Sequence, residues 1–274
     1  MVKKRLIARI IVYSVLFLMY LPILVLIAFS FTTADSIGNW TGFSFDLYIA
    51  LFKNKDIMRA LLNTVTIALT SAIVSTILGT LGAIGIFYSK KRVKNTLESI
   101  SQIPVMNAEI VIALSLTLLF VFTRDKLNIP VEFGFVTLLI GHVVLTIPFV
   151  VLSIKPKLIQ MDPNIYEAAL DLGATPKTAL AKVVFPEIVP GILTGFLLSI
   201  TLSLDDYIIT KFTGSETFDT LSTYIYGSTA KKGAVPAPLR ALTTIIFVVV
   251  LLVLVIVNHS AKNKVKSRRG KKNA

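Results

Sequence analysis

The chain has 274 residues with 28 Lys and Arg against 15 Asp and Glu, a formal net charge of +13, and no cysteine. The missing cysteine excludes a disulfide framework, thiol chemistry and any Cys-based metal site. Apolar residues make up 54% of the chain and gather in blocks of about 20, the length that crosses a bilayer, so the positive charge reads as membrane orientation rather than as a nucleic-acid-binding face.

Six spans are predicted in chain order: Ile10–Phe31, Thr64–Ser89, Ile103–Thr123, Gly134–Ile154, Val189–Thr210 and Ala241–Asn258. The first follows Lys3, Lys4, Arg5 and Arg9. Its apolar run is too long for a cleaved leader, and no small-x-small site follows it, so it is read as an uncleaved span. Span two carries Thr64, Thr66, Thr70, Ser71, Ser75, Thr76, Gly79, Gly82 and Gly85, a composition that favours close helix contact. Span five has Gly191, Gly195, Ser199 and Ser203 at four-residue spacing. That stripe serves either packing within the chain or an interface with another subunit.

Between the spans, 19 of the 28 Lys and Arg fall in the N-terminus, Ser89–Gln102, Lys155–Ile188 and the tail, and 9 fall in the loops on the other side. Cytoplasmic loops carry the excess of positive charge, so both termini and the 155–188 loop are expected in the cytoplasm. The organisation is then residues 1–9 as a cytoplasmic N-terminus, 10–258 as the membrane domain, and 259–274 as a basic tail held near anionic lipid. The outer loop at residues 32–63, with Trp40, Phe43, Phe45 and Tyr48, is expected to form an aromatic belt and a short interfacial helix. In the outer loop at 211–240, Tyr224 and Tyr226 fit a helix that Pro236 and Pro238 end.

The 155–188 loop has the clearest helical punctuation. Asp162 and Pro163 form a cap-plus-proline start, and Gly173 supplies a left-handed stop. Thr175 and Pro176 open a second helix, expected to run to about Val184, before Pro186. Ile165, Tyr166, Ala169 and Leu172 form an apolar side that should bury one face of the first helix. Glu167-Ala168-Ala169, Gly173 and Val183-Val184-Phe185-Pro186 together resemble the EAA loop of ATP-binding-cassette importer permeases, with Val183 and Phe185 as conservative departures. The resemblance implies the type I importer permease fold, an all-α membrane protein of six transmembrane helices with a cytoplasmic coupling-helix loop. It also implies that Glu167, Ala168, Ala169, Gly173 and Pro186 couple the chain to a separate ATPase subunit.

Ionisable residues inside spans are the default functional candidates. Glu109, about six residues into span three, is either a pathway carboxylate or a first-turn residue favoured by the helix dipole. Asp205 and Asp206 stand near the outer end of span five and point about 100° apart on a helix, so one can face a pathway while the other caps or pairs. Tyr207 follows them. His142 reads as a neutral packing histidine, since no second ligand stands at a metal-binding spacing. No G-x-x-x-x-G-K-[ST] sequence occurs, so the chain is not expected to bind ATP, to be an enzyme or to need a cofactor.

SLDDYIIT at Ser203–Thr210, FTG at Phe212–Gly214, TYIYGS at Thr223–Ser228 and the segment Phe29–Phe52 are similar to the second permease subunit of spermidine/putrescine importers. With the Glu167 loop, that similarity spans nearly the whole chain. It implies polyamine transport in a bacterial inner membrane, and three kinds of partner: ATPase subunits, a second homologous permease and an external polyamine-binding protein. Glu109, Asp205 and Asp206 then fit a polycationic substrate, met at two depths along the pathway. Lys231-Lys232 departs from this pattern by adding positive charge to the outer loop. The alternatives are the same machine moving an amino acid, sulfate or ferric ion, and an ion-coupled carrier with Glu109 or Asp206 as its proton site.

Overall fold

The structure, a computed structural model, describes residues 2–34, 38–162, 164–215, 217–232, 236–249 and 251–252, and the regular elements among them are helical. They are α1 (Val2–Phe29), α2 (Asp46–Lys53), α3 (Lys55–Tyr88), α4 (Lys91–Met106), α5 (Glu109–Lys126) and α6 (Phe135–Gln160). After these come α7 (Ile165–Asp171), α8 (Pro176–Ala179), α9 (Phe185–Asp205), α10 (Ile208–Thr213), α11 (Leu221–Lys232) and α12 (Ala237–Val249). Four stretches are each long and apolar enough to cross a membrane: Arg9–Phe29, Lys55–Tyr88, Phe135–Gln160 and Pro176–Asp205. α4 and α5 make a fifth only if they are counted together across a 105° bend. The expected sixth span begins in α12, and most of its remainder, like the basic tail, lies outside the described residues.

Two compact units divide the chain, Met1–Met58 with Ile225–Ala274, and Arg59–Tyr224. In the first, the chain leaving α1 folds back on itself. Ser44 N–H donates to the Phe31 carbonyl at 2.8 Å, and the Phe31 ring stacks on Phe43 with centroids 5.4 Å apart. Phe45 and Tyr48 complete that cluster, and α2 is the short helix expected in this loop. Asn54 then caps α3, its Oδ1 accepting from the Asp56 and Ile57 amides at 3.1 Å each. Arg240, 2% exposed in α12, donates to the Ala34 carbonyl at 2.9 Å, so a buried cation meets main-chain acceptors just beyond the C-terminal end of α1.

The second unit is organised around α6, a long apolar helix with twelve buried residues. The span-five stripe packs on it within the chain. A Cβ on Gly195 would stand 3.0 Å from the Val150 Cα, and one on Gly191 would stand 2.9 Å from the Ser153 carbonyl oxygen. Ser199 and Ser203 are buried on the same side of α9. Span two meets α6 through its small residues too, with Gly79 against Val150 and Ser75 bonded to Thr146 at 2.6 Å. Small side chains let backbones approach where lipid supplies no hydrophobic drive between helices.

Three boundaries differ from the sequence reading. Ile103–Met106 belongs to α4, and the chain turns at Asn107 and Ala108, so Glu109 is the first residue of α5 rather than six residues into a span. Span five stops at Asp205 instead of continuing to Thr210, because Asp206 leaves the helix and turns its carboxylate onto the amides of α10. Asp competes for backbone donors in this way, which is why it favours helix ends. The helix after Thr175 does not end before Pro186. It continues through a π-helical turn, Leu180–Val184, in which Phe185 N–H bonds to the Leu180 carbonyl. The wider turn carries the chain into α9 with Pro186 in its first turn, where a missing N–H costs little.

Candidate functional site: a docking loop and a carboxylate cluster

The loop between α6 and α9 is built as a rigid knuckle. Asp162 Oδ1 accepts from the Asn164 amide at 2.9 Å, and Asn164 takes the N-cap position of α7; Pro163 lies outside the described residues. At the other end Gly173 has φ +86°. Its N–H bonds to the Leu170 carbonyl at 2.9 Å while Ala174 N–H bonds to Ala169 at 3.0 Å. These are the two crossed bonds of a Schellman stop, which needs a left-handed residue at Gly173. Thr175 Oγ1 then caps α8, accepting from the Thr178 amide at 3.3 Å.

One side of α7 is anchored. Ile165 and Tyr166 pack on the cluster of Ile154, Leu158, Met161, Val184 and Ile188, and the Tyr166 ring lies 5.1 Å from that of Tyr88 at the end of α3. Glu167 and Ala168 are exposed, and Ala169 is half-buried. Leu172 does not join the buried side as its spacing predicts; it is 90% exposed. The helix ends at Asp171, so the 3.6-residue period no longer places Leu172. The loop thus presents a carboxylate, a small residue and a bare leucine on a helix bolted to the ends of α3, α6 and α9.

Glu109 lies within electrostatic reach of both aspartates. Glu109 opens α5 and Asp205 closes α9; both are exposed, and the charges of Asp206 and Asp205 act on Glu109. The break before α5 makes Glu109 its first residue, one turn before Ile112 and Ala113, which pack with Ile209 of α10.

Within the cluster Asp206 is different. It is 5% exposed; Oδ1 accepts from the Ile209 amide at 3.1 Å, and Oδ2 accepts from the Thr210 amide and hydroxyl at 2.8 Å each. Its own carbonyl accepts from Ser222 Oγ at 2.6 Å. Of the two roles foreseen for the Asp pair, Asp206 takes the cap. Tyr207, half-buried, is the N-cap residue of α10.

A buried hydroxyl–imidazole chain, not foreseen in the sequence, supports Asp206 from behind. His142 Nε2 lies 3.0 Å from Thr210 Oγ1 and 3.5 Å from Asp206 Oδ2, and its Nδ1 lies 2.7 Å from Ser203 Oγ. Ser71 in turn donates to Ser203 Oγ at 3.1 Å. One arrangement satisfies every link: Ser71 to Ser203, Ser203 to Nδ1, Nε2–H to Thr210, Thr210 to the Asp206 carboxylate. Because Thr210 gives its hydrogen to Asp206, the hydrogen between Nε2 and Thr210 belongs to the imidazole. Among the described residues no group of three or more His, Cys, Asp or Glu is placed to hold a metal.

Helices long and apolar enough to cross a membrane, an anchored loop at their ends and acidic groups at a helix break fit a subunit of a membrane transport system. The family model for the inner membrane component of binding-protein-dependent transport systems matches residues 75–266, and the chain belongs to that family. It is 36% identical over 239 residues to the spermidine/putrescine transport system permease protein PotC of Haemophilus influenzae, covering 87% of this chain and 90% of that one. The Escherichia coli K12 protein of the same name is 32% identical, with 92% of each chain covered. The putrescine transport system permease protein PotI of E. coli K12 is 32% identical, with 83% of this chain and 81% of that one covered. Among solved structures, a bacterial transporter that imports the acidic polysaccharide alginate superposes with a TM-score of 0.70 at 20% identity, over 94% of this chain and 95% of that one. The methionine transporter MetNI superposes with a TM-score of 0.53 at 18% identity, over 77% and 97%. The chain is therefore an all-helical permease subunit of an ATP-binding-cassette importer in a bacterial membrane.

Proposed function

We propose that the chain is one transmembrane half of an importer for polyamines, spermidine and putrescine, driven by ATP hydrolysis in separate subunits. One observation carries the substrate class: Glu109 and Asp205 are exposed carboxylates gathered at a helix break inside apolar segments. Ammonium groups leaving water lose their hydration, and carboxylates held in the pathway offset that loss. The polyamine permeases at 32–36% identity support the same assignment.

Glu109 and Asp205 receive the ammonium groups, and Tyr207 stands beside them. Asp206, its oxygens engaged by amides and a hydroxyl, holds the turn that presents Asp205. Glu167, Ala168 and Leu172 enter a groove on the cytoplasmic ATPase, while Gly173 and Pro186 shape the loop around them. Closure of the ATPase pair pushes on α7. Because α7 is packed on α3, α6 and α9, the push tilts those helices and switches the cavity between inward-open and outward-open. A second, related permease and an external binding protein complete the machine, and both termini lie in the cytoplasm.

Uptake of labelled spermidine by cells expressing the chain with its partner subunits tests this directly. ATP-dependent uptake blocked by putrescine but not by amino acids or sulfate is expected. Uptake of another solute through the same subunits would discard the polyamine and keep the machine.

A further inference from the structure

Helix α4 joins the basic stretch Ser89–Gln102 to the expected start of span three at Ile103. In the structure it is a sixteen-residue helix with no buried residue, and its faces are arranged against the usual sense. The side that meets the protein is polar. Glu98 Oε2 pairs with Lys155 Nζ of α6 at 2.9 Å, and Lys94 Nζ lies 4.8 Å above the Phe87 ring.

The apolar residues look away from that contact. Val93, Leu97 and Ile100, at the four- and three-residue steps of one helical stripe, are 50%, 38% and 55% exposed. A third side is polar over its first half, with Arg92, Asn95 and Ser99 exposed, and apolar beyond, with Ile103 and Met106 53% and 84% exposed. A helix with a protein side, an apolar side and a polar side is built for a place where three media meet. The basic residues Lys90, Lys91 and Arg92, all exposed, gather at its start.

We infer that α4 lies in the inner-leaflet interface of the bilayer, its Val93–Leu97–Ile100 stripe in the acyl region and its basic start on anionic lipid headgroups. Two features select lipid over a protein partner. Like-signed charges at one end match a phosphate surface. The apolar stripe is short and flanked by polar sides, the pattern of an interfacial helix. The leaflet rests on the orientation read from the charge count; the lipid contact itself does not.

The absence of native cysteine makes the test direct. The full chain, purified with its co-expressed partner subunits, is spin-labelled at one of Leu97→Cys, Ile100→Cys, Asn95→Cys or Ser99→Cys and placed in phosphatidylcholine nanodiscs, whose two faces are both open. Collision with oxygen should exceed collision with a nickel chelate at 97 and 100, and the order should reverse at 95 and 99. Chelate dominance at 97 and 100 would overturn the proposal by placing the stripe in water. Loss of both collisions there would overturn it by placing the stripe under a protein partner. With a label at Val93→Cys, adding phosphatidylglycerol should raise the oxygen-to-chelate ratio. The Lys90→Gln, Lys91→Gln, Arg92→Gln variant should lose that rise, and no rise in the parent would remove the anionic-headgroup contact.

Discussion

Gly173, Asp205 and Asp206 show how much a single residue's setting decides. A Cβ at Gly173 would have open space around it, so only the backbone resists substitution there. Gly173→Val should cost about 1–2 kcal/mol in the turn, abolish uptake and leave the protein inserted. Gly173→Asn, which tolerates a left-handed φ, should retain most uptake; equal loss in the two would sink the account of the turn. The neighbouring aspartates should separate by phenotype. Asp205→Asn and Glu109→Gln leave the fold intact and raise the KM for a polyamine severalfold. Asp206→Ala strips two amides and the Thr210 hydroxyl of their acceptor. It should lower the thermal midpoint and the amount of folded protein, since a lost cap costs about 1 kcal/mol and a buried unmet donor about 1–3 kcal/mol more. A wild-type melting curve for Asp206→Ala, with only KM changed, would return Asp206 to the substrate pathway.

At the scale of elements, α6 and α9 are held by backbone proximity, and α7 by a few aromatic and aliphatic contacts. Gly195→Leu should separate α9 from α6, because its first side-chain carbon already meets the Val150 Cα at 3.0 Å. The readout is loss of monodisperse protein on extraction, whereas Gly85→Ala, with nothing within 4 Å, should extract normally. Leu172→Glu should act differently from both. The side chain touches no core, so the permease should insert and melt normally and fail to retain its ATPase subunit on purification. Retention of the ATPase by Leu172→Glu would remove this helix from the docking surface.

At the scale of the molecule, the excess of Lys and Arg on one side predicts sidedness. With single cysteines placed at Asp125 and Asp171, an impermeant maleimide should reach position 125 in intact cells and position 171 only after permeabilisation. The reverse pattern would invert the whole topology and with it the docking of α7. Unit two carries both the carboxylate cluster and the docking loop, so a push on α7 has only packed helices to cross before it reaches the turn held by Asp206.

Local signals were legible without a fold. Apolar blocks located the four stretches long and apolar enough to cross a membrane, since length and hydropathy belong to the stretch itself. Gly173 and Thr175 announced the turns of the loop, because caps act within a few residues along the chain, whereas the cap expected at Asp162 passes to Asn164 and Asp162 holds the turn before it. The stripe from Gly191 to Ser203 declared itself as a contact surface, though its partner could not be read from it; α6 was supplied by the folded chain. Tertiary structure decided whatever depended on residues far apart in sequence. Asp206 is taken out of the span by Thr210, and its support reaches it through His142, Ser203 and Ser71 on three different helices. Glu109 opens α5 within electrostatic reach of Asp205 although 96 positions separate them in the chain. A spacing rule sees one helix at a time, and the meaning of each carboxylate here is set by which other helix stands against it.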